Sequence, residues 1–297
     1  LLGDVRPLDR DGARAEAVAW RAGHIVAVGA RDDVTREVGS EVETWDTKGA
    51  TIVPGFLDAH HHPCIVALYG GAIRLAPPVV TNIVGLQRAL AAAARALPPG
   101  TWLVATEWDE LLLEERRPPA RRELDDAVPD HPLFALHYSC HRALANSRAL
   151  ELAGIGASTQ DPEGGAISRG NNGLPDGLLI ERGMSRVESL ARASLTARDV
   201  DGFIARLASH HRALAATGIT HVTDAAVPGD LAELYREAAR RNALLVPTTM
   251  MPVRSDSSPL VTAGSTPTTM RSRSGADVTR PASIAARQLI NPMPRSR

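Results

Sequence analysis

Two histidines separated by one residue give this sequence of 297 residues its strongest chemical signal. His60 and His62 close a short apolar run that begins with a Pro-Gly pair. Side chains two apart along a strand point to the same side, so these imidazoles can bind one cation while His61 points away. Neutral imidazole is a common ligand of zinc and other divalent metals. Asp58 shares the predicted face and is placed to fix a histidine tautomer. The alternative is a chance cluster of histidines.

The elements that position this motif follow from hydrophobic periodicity. In the N-terminal part, apolar runs and turn residues predict a small β module with strands over 17–20 and 24–29. Residues 51–57 are predicted to form a buried strand that the Pro-Gly pair interrupts. Residues 83–97 have the periodicity of a helix. The histidine pair is therefore expected at the end of a strand.

From residue 200 onward the pattern alternates between the periods of helices and strands. The apolar positions predict a helix ending at Gly218, a strand over 219–224, a helix over 231–242 and a strand that starts at Leu244. This order is typical of a parallel α/β architecture.

The character of the chain changes after about residue 254. Residues 255–297 are rich in Ser, Thr, Pro and Arg and contain no Glu, Lys, His or aromatic residue. A segment so poor in large apolar side chains cannot offset the entropy of ordering, so we predict an unstructured tail. Two explanations stay open, a natural disordered tail and an out-of-frame reading of a GC-rich gene. The abrupt end of the α/β pattern favours the second.

The composition is that of an ordinary globular protein and restricts the partners. A net charge of -1 gives no reason to expect nucleic acid or an acidic membrane surface. No apolar run approaches the ~20 residues needed to cross a bilayer, and no leader sequence is evident. Two cysteines, Cys64 and Cys140, cannot form a disulfide framework and fit a reducing compartment. We therefore expect a cytoplasmic protein that binds neither nucleic acid nor membrane, and homo-oligomer formation stays open.

Several motifs resemble one family of enzymes. Residues 54–63 resemble the Pro-Gly-aromatic-apolar-Asp-x-His-x-His signature of the amidohydrolase superfamily. Further stretches resemble amidohydrolase family 3, the YtcJ-like proteins related to N-substituted formamide deformylase. They cover 102–110, 124–132, 145–150, 153–155, 164–167, 174–181 and 218–225. The resemblance extends over about residues 1–250, and linked motifs in one order are more specific than any single motif.

This resemblance implies an α/β fold, an incomplete TIM-like (β/α) barrel. Residues 1–50 would form the N-terminal β-sandwich portion. Residues 51–254 would form the partial metal-dependent hydrolase barrel, with an inserted helical region at about 64–195. The unstructured tail would occupy 255–297.

The resemblance also adds two candidate site residues. Many members of the superfamily complete the metal site with a carboxylated lysine, but the only lysine here, Lys48, precedes the barrel. The resemblance places Glu181 there as a metal ligand. The alternative is a solvent-facing glutamate at the start of a helix. His141 falls where the family often has a histidine facing the substrate, and its alternative is simple packing. Asp224, near a predicted strand end, stays unassigned.

The activity implied by the resemblance is hydrolysis of carbon–nitrogen bonds other than peptide bonds in a small-molecule substrate, such as an N-substituted amide. A divalent metal, expected to be zinc, would activate water for this reaction. The family also uses two later histidines and an aspartate as general base. All ten histidines of this chain lie at or before His221, so no catalytic residue is assigned. The alternative is a catalytically inactive, truncated remnant, and inactivity is expected for the chain as given.

Overall fold

The computed structural model describes residues 1–9, 11–39, 41–253 and 268–270. The chain forms two compact units. The first unit combines Leu1–Cys64 with the residues from Ile204 onward, and the second unit is Ile65–Phe203. None of the helices in the described ranges is both long enough and apolar enough to cross a membrane.

Strands and helices alternate over most of the described chain. The strands are β1 (Leu2–Val5), β2 (Ala15–Arg21), β3 (His24–Gly29), β4 (Asp46–Ile52), β5 (Phe56–His61), β6 (Ile73–Arg74), β7 (Leu103–Trp108), β8 (Leu133–His137), β9 (Arg142–Ala145), β10 (Gly165–Arg169), β11 (Pro175–Glu181), β12 (Ile219–Val227), β13 (Thr248–Pro252) and β14 (Thr268–Met270). The helices are α1 (Arg31–Val38), α2 (Pro63–Tyr69), α3 (Ile83–Ala94), α4 (Arg121–Ala127), α5 (Ser147–Leu152), α6 (Ser185–Arg198), α7 (Val200–Ala216) and α8 (Gly229–Arg240), with a 3-10 helix at Arg182–Met184.

The N-terminal part of the first unit is a four-stranded sheet in the order β3-β2-β1-β4. A two-residue turn joins β2 to β3, and both turn residues, Ala22 at φ 50° and Gly23 at φ 81°, have the positive φ of a type I′ hairpin turn. Ala17, Ala27 and Val34 form a small core between the sheet and α1. The predicted strand–turn–strand module is confirmed. The second sheet of a sandwich is not found among the described residues.

The histidine motif belongs to the other sheet of the first unit, in the order β14-β13-β12-β5. Strands β5, β12 and β13 are parallel, while β14 runs antiparallel to β13. The predicted order of helix, strand, helix, strand from residue 200 is confirmed as α7, β12, α8 and β13. The last strand begins at Thr248 and not at Leu244. The N–H of Val246 donates to His211 and not to a neighbouring strand, so sheet pairing starts later.

The predicted buried strand over 51–57 is wrong in two respects. It is divided between β4 and β5, which lie in different sheets, and the side chains of Phe56 and Leu57 are 53% and 72% exposed. Within the described residues β5 pairs with β12 alone, so its other edge is not covered by a described strand. Gly55 is required at the entry to β5, because a Cβ atom there would overlap the side chain of Thr220.

The second unit contains a six-stranded sheet in the order β10-β11-β9-β8-β7-β6. Strands β6, β7 and β8 are parallel and the remaining pairs are antiparallel. Successive residues of β7 and β8 belong to two different buried clusters, one with α3 and α4 and one with α5 and α6. Both faces of the sheet are therefore covered by helices. Strands buried on both faces are apolar at consecutive positions and do not alternate with polar residues.

This unit corrects the prediction of an inserted helical region at about 64–195. The insert is a mixed α/β unit with a central sheet. Its strands contain short apolar runs, such as 103–105 and 133–136, and such runs do not distinguish a doubly covered strand from a buried helix.

The predicted unstructured tail, residues 255–297, lies outside the described residues except at Thr268–Met270. These three residues form β14, and Thr268 pairs with Met250 of β13. At this point the structure differs from the prediction, since a strand is present where no regular structure was expected.

Candidate functional site

His60 and His62 lie together at the end of β5, as predicted from their spacing. Their ring centroids are 5.0 Å apart and the ring planes are inclined at 87°. Nδ1 of His62 lies 2.9 Å from the carbonyl oxygen of Ala225 on β12. A carbonyl only accepts hydrogen bonds, so Nδ1 carries the proton and Nε2 keeps its lone pair. His62 is therefore held in the tautomer in which Nε2 can bind a cation.

Asp58 does not make the contact that was predicted for it. One of its carboxylate oxygens accepts a hydrogen bond from the main-chain N–H of His60 over 3.2 Å, and the other lies 3.7 Å from Nδ1 of His61. The carbonyl of Ala225 fixes the tautomer of His62 instead. The reason is that β12 brings its main chain beside the end of β5, which the sequence around the histidines does not reveal.

His61 points away from its two neighbours, as the alternation along a strand requires. Its Nε2 atom lies 2.7 Å from Nε2 of His210 on α7, and the angle between the two ring planes is 16°. One of these nitrogens must donate the proton that the other accepts. Burial lowers the pKa of His210, and the nearby His61 lowers it further. This pair is thus separate from the His60–His62 pair.

A buried carboxylate lies directly behind the histidine motif. Asp224 of β12 is 0% exposed and accepts hydrogen bonds from the main-chain N–H of Cys64 over 2.8 Å, from the Cys64 thiol over 3.4 Å and from the hydroxyl of Tyr235. Burial raises the pKa of Asp224, while these hydrogen bonds partly offset the increase. Burial, followed by the charge of Asp224, raises the pKa of Tyr235 far above its ordinary value. The sequence left Asp224 unassigned and gave no signal for its partners.

The remaining predicted site residues, Glu181 and His141, lie in the second unit and contact each other. Nδ1 of His141 lies 3.0 Å from Oε1 of Glu181, and the N–H of Glu181 donates to the carbonyl of His141 over 2.9 Å. Both side chains are at least half exposed. Glu181 ends β11 with φ at 49°, a conformation that costs free energy for a residue other than glycine. The structure therefore groups the five predicted residues as His60, His62 and Asp58 in one unit and Glu181 and His141 in the other.

A further group of metal-type ligands was not predicted. Within the described ranges, Asp109, Glu110 and His137 bring one ligand atom each to within 4.8 Å of one another. Arg142 lies inside this group, with Nη1 at 2.7 Å from Glu110 and Nη2 at 2.9 Å from Nε2 of His137. The guanidinium thus supplies the positive charge that a cation would otherwise bring. The signal available in the sequence was the acidic pair directly after β7.

Protonation in this group is controlled by Arg142 and burial. Burial raises the pKa of Glu110, but the hydrogen bonds and charge of Arg142 outweigh it and the net effect lowers the pKa. Burial and then the charge of Arg142 lower the pKa of His137. Ser139 holds the opposite ring nitrogen of His137 over 2.7 Å. The group is therefore an ionised Glu110–Arg142 pair beside a neutral histidine.

The comparisons with known proteins identify the class to which this chain belongs. Residues 43–270 match the amidohydrolase family. That range is more than half of the chain, so the chain belongs to the amidohydrolase family of hydrolases.

Its relatives place it more narrowly. The chain is 35% identical over 238 residues to an N-substituted formamide deformylase of Arthrobacter pascens, a match over 80% of this chain and 44% of that protein. It is 32% identical over 181 residues to the putative amidohydrolase YtcJ of Bacillus subtilis, over 61% of this chain and 34% of that protein. The predicted membership of the YtcJ-like amidohydrolase family 3 is confirmed. The chain spans less than half the length of either relative.

Two solved structures share the fold. An uncharacterized metal-dependent hydrolase from Pyrococcus horikoshii matches with a TM-score of 0.57 and 19% identity, over 84% of this chain and 47% of that one. Another from Pyrococcus furiosus matches with a TM-score of 0.55 and 18% identity, over 84% of this chain and 48% of that one. These matches confirm a mixed α/β fold, and the complete barrel is not established by them.

Proposed function

We propose that this protein is a metal-dependent hydrolase of carbon–nitrogen bonds other than peptide bonds, with N-substituted amides and formamides as its substrate class. The family supports a hydrolase, and the name of the Arthrobacter pascens relative supports the substrate class. The proposed metal ligands are His60, His62 and Glu181, the proposed metal is zinc, and His141 is proposed to face the substrate.

One observation carries the metal site, the hydrogen bond from His62 Nδ1 to the carbonyl of Ala225 over 2.9 Å. It leaves Nε2 as an acceptor on a ring whose centroid is 5.0 Å from that of His60. Two imidazoles this close, one with a fixed tautomer, are a donor set that zinc accepts. The residues present therefore fit a divalent cation.

The second unit contributes two proposed residues that carry out different tasks. Glu181 offers a carboxylate, the ligand type that replaces a carboxylated lysine, and its strained backbone at φ 49° is typical of functional positions. His141 contacts that carboxylate through Nδ1, which orients its ring. Because a carboxylate only accepts hydrogen bonds, Nδ1 of a neutral His141 carries the proton, and Nε2 is left to accept a hydrogen bond from a substrate amide N–H.

A divalent cation bound there would polarise the scissile carbonyl and lower the pKa of water. The chain's own residues prepare the site: the carbonyl of Ala225 holds the proton of His62 on Nδ1, and Asp58 anchors the main chain at His60. No general base is assigned among the described residues.

Metal analysis tests the proposal directly. Purified protein supplied with zinc should retain about one equivalent after removal of free metal, and His60→Ala or His62→Ala should each lose it. His61→Ala is the matched control, since its ring contacts His210 on the other side of the strand, and it should keep its zinc. Unchanged zinc in both His60→Ala and His62→Ala would refute the site.

The alternative hypothesis is a catalytically inactive remnant. Measurement of turnover distinguishes it from the proposed hydrolase. A panel of N-acyl and N-formyl amines should be hydrolysed by the zinc-loaded protein if the proposal is correct, and His60→Ala should abolish the activity. Turnover of about 1–10 s⁻¹ is ordinary for enzymes. Zinc retention without any turnover on the panel would favour the inactive form.

A further inference from the structure

We infer that Asp224 and Tyr235 are positioning residues for His62, because together they fix the end of β5 on which this ligand lies. The inference rests on the proposed metal site and extends it to two buried side chains that contact neither substrate nor metal. Both belong to the first unit, in β12 and α8, as does the histidine pair.

The contacts form a clamp on the three residues that end at Cys64. From one side, the carbonyl of Ala225 holds the ring of His62 at 2.9 Å. Asp224 directly precedes Ala225 in β12. Its carboxylate accepts one hydrogen bond from the main-chain N–H of Cys64 at 2.8 Å and another from the Cys64 thiol at 3.4 Å. Two adjacent residues of β12 thus hold the histidine ring and the main chain two residues beyond it. A displacement of Asp224 displaces both contacts at once.

Tyr235 determines where the carboxylate of Asp224 sits. Its hydroxyl donates a hydrogen bond to the same Oδ2 atom that accepts from Cys64. Asp224, Tyr235 and Cys64 are each 0% exposed, so water does not compete for these bonds. Hydrogen bonds to a buried carboxylate are strong, and removal of one donor leaves the charge undercompensated.

These contacts lie next to the proposed metal ligand His62, so their role differs from a general contribution to stability. The residue held by the carboxylate is two positions from His62, and the carbonyl that fixes the tautomer of His62 follows Asp224 directly. Outer contacts of this kind orient the ligand ring, and their loss typically costs ~10–100-fold in metal affinity. A role limited to packing would change stability and leave the metal site unaltered.

The test uses the full chain and Co²⁺ as a spectroscopic probe. Co²⁺ is titrated into the metal-free protein against a competing chelator while the visible absorption spectrum is recorded. Tyr235→Phe, which keeps the ring and removes only the hydroxyl, and Asp224→Asn should bind Co²⁺ ~10–100-fold more weakly with an altered spectrum. Tyr69→Phe is the matched control, because the Tyr69 hydroxyl also donates to a carboxylate, that of Glu188 at 3.2 Å, but in the second unit. It should match the wild type.

Thermal unfolding is first measured for each metal-free variant. The titrations are then carried out at a temperature at which all variants are folded, so that differences in Co²⁺ affinity do not come from unfolding. If Asp224→Asn does not fold, Tyr235→Phe carries the test. Wild-type affinity and spectrum in Tyr235→Phe, while His62→Ala loses Co²⁺, would overturn the positioning role alone. Binding by His62→Ala equal to that of the wild type would overturn the proposed metal site itself, and with it this inference.

Discussion

The main-chain N–H of Val246 donates a hydrogen bond to Nδ1 of His211 over 3.2 Å, inside the core of the first unit. Because Nδ1 accepts, the proton of the neutral ring is on Nε2. Nε2 is buried and has no hydrogen-bond partner within the described ranges. Burial, followed by the proximity of His210, lowers the pKa of His211 to about 4. His211 is consequently neutral in the folded protein at ordinary pH.

This neutral, buried histidine should make the first unit sensitive to mild acid. In the unfolded chain its pKa returns to about 6.5, so the unfolded state binds a proton more readily between the two values. The free energy of unfolding should therefore fall as pH drops from about 6.5 toward 4, by about 3 kcal/mol from this residue. Urea unfolding at a series of pH values measures the decrease.

The matched variants for that measurement are His211→Gln, which cannot titrate, and His24→Gln, in which an exposed histidine is changed. His211→Gln should lose most of the extra decrease, whereas His24→Gln should follow the wild type. Parallel curves for wild type and His211→Gln would show that the pKa of His211 is not lowered.

Replacement of Glu181 by Gln should weaken zinc binding by at least tenfold without loss of fold. The side chain is half exposed, so its change to an amide of the same shape costs little stability, while a neutral amide is a much poorer zinc ligand than a carboxylate. Competition with a chelator gives the affinity. The exposed Glu163→Gln is the control and should bind as the wild type does. Equal affinities in all three proteins would exclude Glu181 as a ligand.

Replacement of Arg142 by Gln should raise the pKa of His137. Burial lowers this pKa first, and the charge of Arg142 lowers it further, while Glu110 and Asp109 act in the opposite direction. Without the guanidinium, burial alone opposes the two carboxylates, so the pKa of His137 rises relative to the wild type. NMR titration of the imidazole signals follows the change, with the exposed Arg148→Gln as control. An unaltered titration of His137 in Arg142→Gln would contradict the charge network.

Replacement of Phe134 by Ala should lower the free energy of unfolding of the second unit by about 3–5 kcal/mol. Phe134 is fully buried on one face of β8, in the cluster that contains Leu150 and Val187. Leu111→Ala, at a side chain 60% exposed, should change it by less than about 0.5 kcal/mol. Chemical denaturation followed by circular dichroism compares them. A similar small loss in both variants would mean that this face of the sheet is not packed as described.

The predictions from sequence succeeded where the signal is local. The prediction that His60 and His62 lie together needed only their spacing, because side chains two apart on a strand point to the same side. The partner of His62 is the main-chain carbonyl of Ala225. Every residue has such a carbonyl, so the sequence does not indicate which one makes the contact. Asp58 was mispredicted for a different reason, since its carboxylate accepts from the main-chain N–H of His60 and lies near Nδ1 of His61 instead of contacting His60 or His62 through their rings.

The second unit shows the opposite limit. The run over 103–105 is apolar at every position because both faces of β7 are covered, and this hides the alternation that would identify a strand. Glu110 and His137 meet because β7 and β8 are parallel neighbours, whereas in sequence they stand 27 residues apart.

The pairing of β5 with β12 has a kinetic consequence. Cys64 and Asp224, which bond across it, are separated by 160 residues, so the sheet that carries the histidines is assembled from contacts of very high sequence separation. Closing a flexible loop of this length costs about 4–5 kcal/mol of chain entropy before any strand pairing stabilises it. The second unit, Ile65–Phe203, lies within that loop and has its own core. If this unit folds first, fewer flexible residues remain in the loop, and the entropic cost of closing it is smaller. Folding should therefore proceed from the inside outward, with the histidine-bearing sheet among the last parts to form.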